Sequence, residues 1–317
     1  MRADHPLSIN THSSHAVERA MRLANLAVMA LIDEATLTPK PGLVDLRGRG
    51  AHRDLDWMMM CDSADMLHPT FYAMAVAGMR HDNSHDNLHD DQHRNDQILR
   101  EELGEIGRVG EAVMLRATGG VNTHRGAIWT LGLLVGAAAQ HIDTAHIDTA
   151  AGIASRAGAI ARQTDRHAPT ITGNKGEQAC LTYGVGGARG QAMAGFPHVV
   201  HHALPSLHAA RLRGLGEDHA RLNALLAVMA ELDDTCILSR GGVPALHIMQ
   251  AGARAVLQAD DDRLAREAAL RQLVQQALAL NVSPGGAADL LAATLFLDSL
   301  TMEYKNETPA LSATATH

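Results

Sequence analysis

The run GAIWTLGLLVGAAA, from Gly126 to Ala139, carries no charge on any face. It is shorter than the roughly 20 residues a membrane-spanning helix needs. A helix that is apolar all round must be enclosed by protein, so the run is read as a buried helix. The rest of the chain has to supply its surroundings from unusual material. Aromatic residues are only 3% of the 317, while Ala, Leu, Met and Gly are abundant. Small and flexible side chains favour closely packed helices over a sheet sandwich.

Helical periodicity supports this. Ala16, Ala20, Leu23, Ala24, Ala27, Val28, Leu31 and Ile32 recur at three- and four-residue spacing, predicting a helix over 14–35. Pro39, Pro41 and Gly42 end it, because proline lacks the amide donor and restricts the residue before it. Further helices are predicted over 55–79, 97–117, from a cap at Asn122 or Thr123 to about 140, and over 152–163. Later ones fall over 199–213, 222–238, 243–258, 262–280 and 287–302. TGNKGEQACLTYGVGGARGQAMAGFP is read as a glycine-rich region, and no run of alternating β-branched residues predicts a strand. The fold class expected is all-α: one multi-helix bundle domain over 14–303 with active-site loops at helix ends, between flexible tails at 1–13 and 304–317.

Lys and Arg total 27 against 35 Asp and Glu, a net charge of -8. That gives no general attraction to nucleic acid or an anionic membrane, so a polyanionic ligand must be met by a local basic cluster. Cys61, Cys180 and Cys236 are widely separated and lack metal or redox spacing, as expected of reduced thiols in a cytoplasmic protein. The amino terminus lacks the apolar stretch of a secretory signal.

One repeat invites a metal reading. HDNSHDNLHDDQHRND places His81, His85, His89 and His93 four residues apart, which on a helix would align four imidazoles on one face. The same stretch is rich in acids, amides and poor helix formers, so 80–96 is expected to be a solvated, mobile insertion, like the tandem repeat HIDTAHIDTA.

The remaining polar and glycine residues concentrate in TPKPGLVDLRGRGAHRD, GGVNTHRGA, GGARGQAMAGFP, DDTCILSRGG and SPGGAADLL, each at a predicted helix boundary. Helix amino ends have free amides and favour anions, so these segments could form one anion pocket. Lys40 stands between prolines, with Asp45, His52 and Asp54 on the same loop. Asn122 or Thr123 suits an N-cap, whereas His124 and Arg125 at a helix start oppose the dipole unless an anion is bound. Arg189 raises the same conflict. Arg240 suits a helix carboxyl end, and Asp233 and Asp234 fall within a predicted apolar helix where a carboxylate needs a partner. Ser283 and Pro284 suit a helix start, with Asp289 one turn on.

In this order, PKPGLVD with GAHRD, GGVNTHRGAIW, GARGQAMAGFP, DTCILSRGG and SPGGAADLLAATLFLD resemble the motifs of the triphosphoribosyl-dephospho-CoA synthase family, over about 26–300. The resemblance implies an all-helical enzyme that joins ATP to 3'-dephospho-CoA, releases adenine, and makes the prosthetic-group precursor for an acyl carrier subunit. DDTCILSR and SPGGAADLLAATLFLD look closer to the malonate decarboxylase branch than to the citrate lyase branch. The acyl carrier subunit or its nucleotidyltransferase is then the downstream partner. Cys236 replaces an asparagine, Gln191 a glutamate and Arg125 a lysine of the family pattern. An amide at 191 cannot exchange a proton, whereas phosphate binding survives these changes more easily.

The expected mechanism is a single displacement at the ribose C1' of ATP. Lys40, Asn122, His124, Arg125, Arg189 and Arg240 would bind substrate, and Mg²⁺ would sit on carboxylates drawn from Asp45, Asp54, Asp234 and Asp289. Asp54 would be the base and His52 the proton donor, on the premise of an unperturbed pKa near 6.5. A helical Mg²⁺-dependent N-glycohydrolase uses the same residue types, and a non-enzymatic histidine-rich metal-binding protein is the third reading.

Overall fold

The computed structural model describes residues 8–81, 89–140, 148–169 and 172–313. Its helices are α1 (Ser8–Thr36), α2 (Trp57–Met66), α3 (His68–Arg80), α4 (His89–Ala117), α5 (Arg125–Ala139), α6 (Ala150–Arg162) and α7 (Lys175–Tyr183). They continue with α8 (Gly187–Met193), a π-helical turn (Val199–Ala203), α9 (Leu204–Leu212), α10 (Glu217–Glu231), α11 (Thr235–Gln258), α12 (Arg263–Ala279) and α13 (Gly285–Ala313). Among the described residues there is no strand, only an isolated bridge between Asp45 and Gly48. The all-α expectation holds. No helix among these residues is long and apolar enough to cross a membrane.

The apolar run is the axis of the bundle. Every residue of α5 from Ala127 to Ala139 is buried except Trp129. Six helices pack on it: α1, α3, α4, α6, α8 and α13. So many neighbours fit around one helix because its surface is small. At Gly78 of α3 a Cβ would collide with the carbonyl oxygen of Gly136, and at Gly132 one would lie 2.7 Å from Met74 Sδ. The backbones of α3 and α5 therefore meet directly, and few aromatic rings are needed to fill the core.

Several predicted boundaries move. The 55–79 helix is two, α2 and α3, with Pro69 in the first turn of the second. The glycine-rich region contains α7 and α8; Asn174 caps α7 through the amide of Glu177, and Gly184, at φ 69°, ends it in the left-handed conformation. The predicted 222–238 helix breaks at Leu232, and Asp234 starts a new helix instead of lying inside an old one. In α11, Gly242 (φ 66°, ψ -169°) interrupts the helix two residues before Pro244, so Arg240 stands at the end of a short first segment. Backbone helix extends into both predicted tails, from Ser8 and as far as Ala313.

The histidine repeat is divided. His81 ends α3 and lies 3.1 Å from Glu102, whereas His89 opens α4 and His93 is exposed on it. His85 lies outside the described residues. Asp96, at the end of the stretch, is buried and accepts from Gln140 Nε2 at 3.2 Å. The last turns of the predicted mobile insertion are thus part of a packed helix. For HIDTAHIDTA, residues 141–147 lie outside the described residues, and Thr149 caps α6 through the amide of Gly152.

The contact between α3 and α5 is testable. Gly78→Ala is expected to cost about 2 kcal/mol in denaturant unfolding, because the added methyl meets backbone that cannot swing away. Gly107→Ala on α4, where a Cβ meets Met74 Cε at 3.6 Å, should gain about 0.5–1 kcal/mol from helix propensity. Equal effects at both positions would remove the close-approach account.

Candidate active site

The loop over 37–56 folds back on the end of α1 through Lys40 and Asp45. Lys40 is 3% exposed, and its ammonium donates to Glu34 Oε1 at 2.6 Å and to the Glu34 carbonyl. Glu34, at the end of α1, is equally buried. Asp45 accepts from the Lys40 amide at 3.0 Å and from the amide and guanidinium of Arg47. Gly42 (φ +71°) lies against the Val282 carbonyl, so the loop is pinned to the segment entering α13. Lys40, expected on phosphate, is turned inward as half of a buried ion pair, and Asp45, expected on metal, closes a loop.

Beyond this loop three helix amino ends meet. Asp234 is 3% exposed; one carboxylate oxygen accepts from the amides of Cys236 and Ile237 at the start of α11, and the other from Ala287 at the start of α13, at 2.9 Å. Burial raises its pKa while these amides lower it. Asp289, one turn into α13, faces α5: a Cβ on Gly126 would strike its carboxylate. Burial, followed by the nearby charges of Glu34 and Asp234, raises the Asp289 pKa well above the usual carboxylate range. The Cys236 thiol lies in the same place, pushed up by burial and by both aspartates.

His124 precedes α5 and is almost completely enclosed. Its Nδ1 lies 3.1 Å from Ser63 Oγ, which is 2.6 Å from Thr123 Oγ1, while its Nε2 is buried without a partner. Burial and then Lys40 lower its pKa to about 4. The ring is neutral, so it does not oppose the helix dipole as a charged histidine would. Arg125 pairs with Glu111, and Asn122 is a cap whose Oδ1 accepts from the Arg125 amide at 3.1 Å.

The rim is formed by His52, Asp54, Arg240 and Ser283. His52 Nε2 lies 2.9 Å from Ser283 Oγ, and its Nδ1 is 3.4 Å from Arg240, whose other terminal nitrogen donates to the Ala51 carbonyl at 3.1 Å. A guanidinium has no acceptor, so Nδ1 accepts and Nε2–H donates to Ser283. Burial, and then Arg240, lower the His52 pKa to about 4, against the opposing pull of Asp54. This corrects the premise for His52 as proton donor: at neutral pH the ring carries no spare proton. Asp54 is exposed beside it. Arg189, on α8, is exposed and lies near enough to Arg100 to depress that arginine's pKa. Gln191 is 3.0 Å from His198.

Of the four carboxylates from which Mg²⁺ ligands are expected to be drawn, Asp234 and Asp289 lie near each other. Those of Asp45 and Asp234 accept from N–H donors, Asp289 is half-buried and Asp54 is at the rim. Among the described residues, no three carboxylate, imidazole or thiol side chains form a metal-holding group. The residue sequence reasoning missed is Glu34. Its signal was a lone acid pair, Asp33-Glu34, closing an otherwise apolar helix face six residues before Lys40.

Two measurements probe this interior. Lys40→Met should destabilise by about 3–5 kcal/mol by stranding a buried carboxylate, and Glu34→Gln/Lys40→Met together should recover much of it; no recovery would mean that the pair is not the unit. The lowered pKa of His124 favours the neutral ring in the folded state. Its contribution is therefore complete above pH 6.5 and lost as pH falls toward 4, amounting to about 3 kcal/mol. His124→Asn should flatten the stability profile over that window, and an unchanged slope would contradict the assignment.

Known proteins place this geometry in a lineage. Residues 20–308 match the CitG family, described as ATP:dephospho-CoA triphosphoribosyl transferase. A probable 2-(5''-triphosphoribosyl)-3'-dephosphocoenzyme-A synthase of Stutzerimonas stutzeri (strain A1501) is 54% identical, covering 90% of this chain and 94% of its own. A protein of Azotobacter vinelandii (strain DJ / ATCC BAA-1303) with the same description is 53% identical, covering 89% and 92%. The Klebsiella pneumoniae 2-(5''-triphosphoribosyl)-3'-dephosphocoenzyme-A synthase is 50% identical, covering 91% and 98%. No solved structure matches the chain. The chain belongs to the CitG family of ATP:dephospho-CoA triphosphoribosyl transferases.

Proposed function

We propose that the protein transfers the triphosphoribosyl group of ATP to a ribose hydroxyl of 3'-dephospho-CoA, releasing adenine, and that the product serves the acyl carrier subunit of malonate decarboxylase. The observation that carries the reading is the meeting of the α5, α11 and α13 amino ends around Asp234 and Asp289, below a rim bearing Arg240 and His52. Helix amino ends and an arginine suit a polyphosphate, and a carboxyl of raised pKa suits cleavage of an N-glycosidic bond. The malonate branch rests on the segments DDTCILSR and SPGGAADLLAATLFLD. Genes for citrate lyase subunits beside this one, with none for malonate decarboxylase, would overturn that branch.

In the reaction the C1'–N bond to adenine breaks and a C1'–O bond forms. The attacking hydroxyl loses a proton and adenine gains one. Asp54, exposed at the rim, is the proposed base. The proton donor is Asp289 in place of His52, because its surroundings favour the protonated carboxyl whereas those of His52 favour the neutral ring. His52 instead holds Arg240 and Ser283 in register for the phosphates. Mg²⁺ enters on the phosphates of ATP, where such ions keep most of their waters and need few protein ligands.

Asp289→Asn should lower kcat for adenine release by about a hundredfold or more while leaving the melting temperature close to wild type, since a neutral group replaces a neutral one. A nucleoside triphosphate whose base departs without protonation should restore the lost rate. Full activity of folded Asp289→Asn would remove the assignment. Adenine release that is independent of dephospho-CoA, with no adduct in the mass spectrum, would replace the transferase by a glycohydrolase.

A further inference from the structure

Outside the rim, positive charge gathers beside α4 and α8. Arg100 and Arg108 of α4 both reach Asp165, at 3.5 and 2.7 Å from its Oδ2, and Arg189 of α8 lies close enough to depress the pKa of Arg100. Two guanidiniums thus share one carboxylate, with a third close by, in a chain whose net charge is -8. The neighbouring pairs do not redress the excess, because Arg125 with Glu111 and Arg166 with Glu101 are each balanced.

The cluster is built rather than incidental. Arg100 is 9% exposed, lies 4.7 Å over the ring of Trp129, and its Nε is buried without a partner. Burying a charge this deeply is unfavourable unless something anionic compensates it, and Asp165 is shared. Gly104 has no side chain because a Cβ there would strike Asp165, so Asp165 lies directly against α4. Trp129 Nε1 donates to the carbonyl of Ala188 at 3.4 Å, which fixes the residue before Arg189 against α5. Arg189 and the outer part of Arg108 remain exposed, and among the described residues Arg189 makes no hydrogen bond.

The cluster also adjoins the site. Trp129 is one turn along α5 from Gly126, which abuts Asp289, and a Cβ on Gly187, where α8 begins, would lie 3.4 Å from Thr235 at the start of α11. The proposed reaction brings two polyphosphate chains to one centre, the triphosphate of ATP and the diphosphate of dephospho-CoA. Arg240 and His52 form one cationic edge, on the side of the 37–56 loop.

We infer that Arg100, Arg108 and Arg189, held together by Asp165 and Trp129, form a second anion subsite that binds the polyphosphate chain of one nucleotide substrate. The inference rests on the transferase reading. Arg108 and Arg189 supply the donors that touch phosphate, and Arg100 is a positioning residue whose buried charge adds to the field. Asp165 keeps Arg100 and Arg108 together before substrate arrives and competes with it for Arg108.

The test is steady-state adenine release by the full-length protein, with ATP and dephospho-CoA varied in turn, for wild type, Arg108→Ala, Arg189→Ala and Asp165→Asn, each with its melting temperature. Wild type that releases no adenine with both substrates present would defeat the transferase reading itself. With wild type active, the two arginine variants should raise one substrate's KM by about tenfold with kcat within a few-fold. The larger rise, for ATP or for dephospho-CoA, identifies whether the triphosphate or the diphosphate occupies the subsite. Asp165→Asn should lower that same KM, an effect that a purely structural ion pair would not produce. Active wild type with both KM values unchanged in folded Arg108→Ala and Arg189→Ala would overturn the inference, as would variants that lose only thermal stability.

Discussion

The carboxylate of Asp234 joins two helices at their starts. One oxygen accepts amides of α11 and the other an amide of α13, so a single buried charge satisfies orphan donors of both ends. This arrangement makes a constraint as well as a bond. Because α13 also carries Asp289 one turn later, seating its amino end on Asp234 brings a second carboxyl to the start of α5. No amide donor is left there for it, and Glu34 lies behind. The raised pKa of Asp289 follows from burial there, then from the charges of Glu34 and Asp234.

Such crowding of helix ends depends on the core. Large side chains would hold helix axes farther apart, and six helices could not reach α5 at once. Here glycine and alanine let backbones touch, as at Gly78 and Gly136, and the few aromatics occupy defined positions: Phe71, Phe196 and Phe296 are fully buried, while Trp129 is half-buried beside Arg100. The composition that looked merely poor in aromatics is thus what permits a polar centre between converging helices. Small side chains fix the distances, and charged ones set the chemistry.

Much of the fold was legible in the sequence because helical periodicity and proline breaks are local signals. The all-α class, the buried α5 and the end of α1 follow from them. What was not legible depended on partners far away. Asp234 sat in a run apolar enough to look like one helix, and only the amides of α11 and Ala287 show that the chain breaks there. Helices α7 and α8 were hidden because seven glycines in that region dilute the pattern, although Asn174 is a conventional cap. The motifs did not sort their residues into ligand, cap and core. Lys40 between prolines reads as a phosphate ligand until Glu34 appears opposite it.

That sorting is the general difficulty, and the aspartates illustrate it. Asp45, Asp54, Asp234 and Asp289 look alike in sequence terms, each in a polar segment near a predicted helix boundary. Their surroundings give them different properties. Asp45 is charge-paired with Arg47 and tied to an amide, Asp234 receives only amides, Asp54 faces water, and Asp289 is half-buried near like charge. Ionisation follows the free energy of the charged form in each place: burial raises the pKa of Asp234 against its amides, and raises that of Asp289 further with the charges of Glu34 and Asp234. A carboxylate serves a metal ion or a substrate only with an oxygen free to present. Two of them have already given theirs to N–H donors, and it is this prior commitment, more than any distance, that separates the residues able to act on a substrate from those that hold the site open for it.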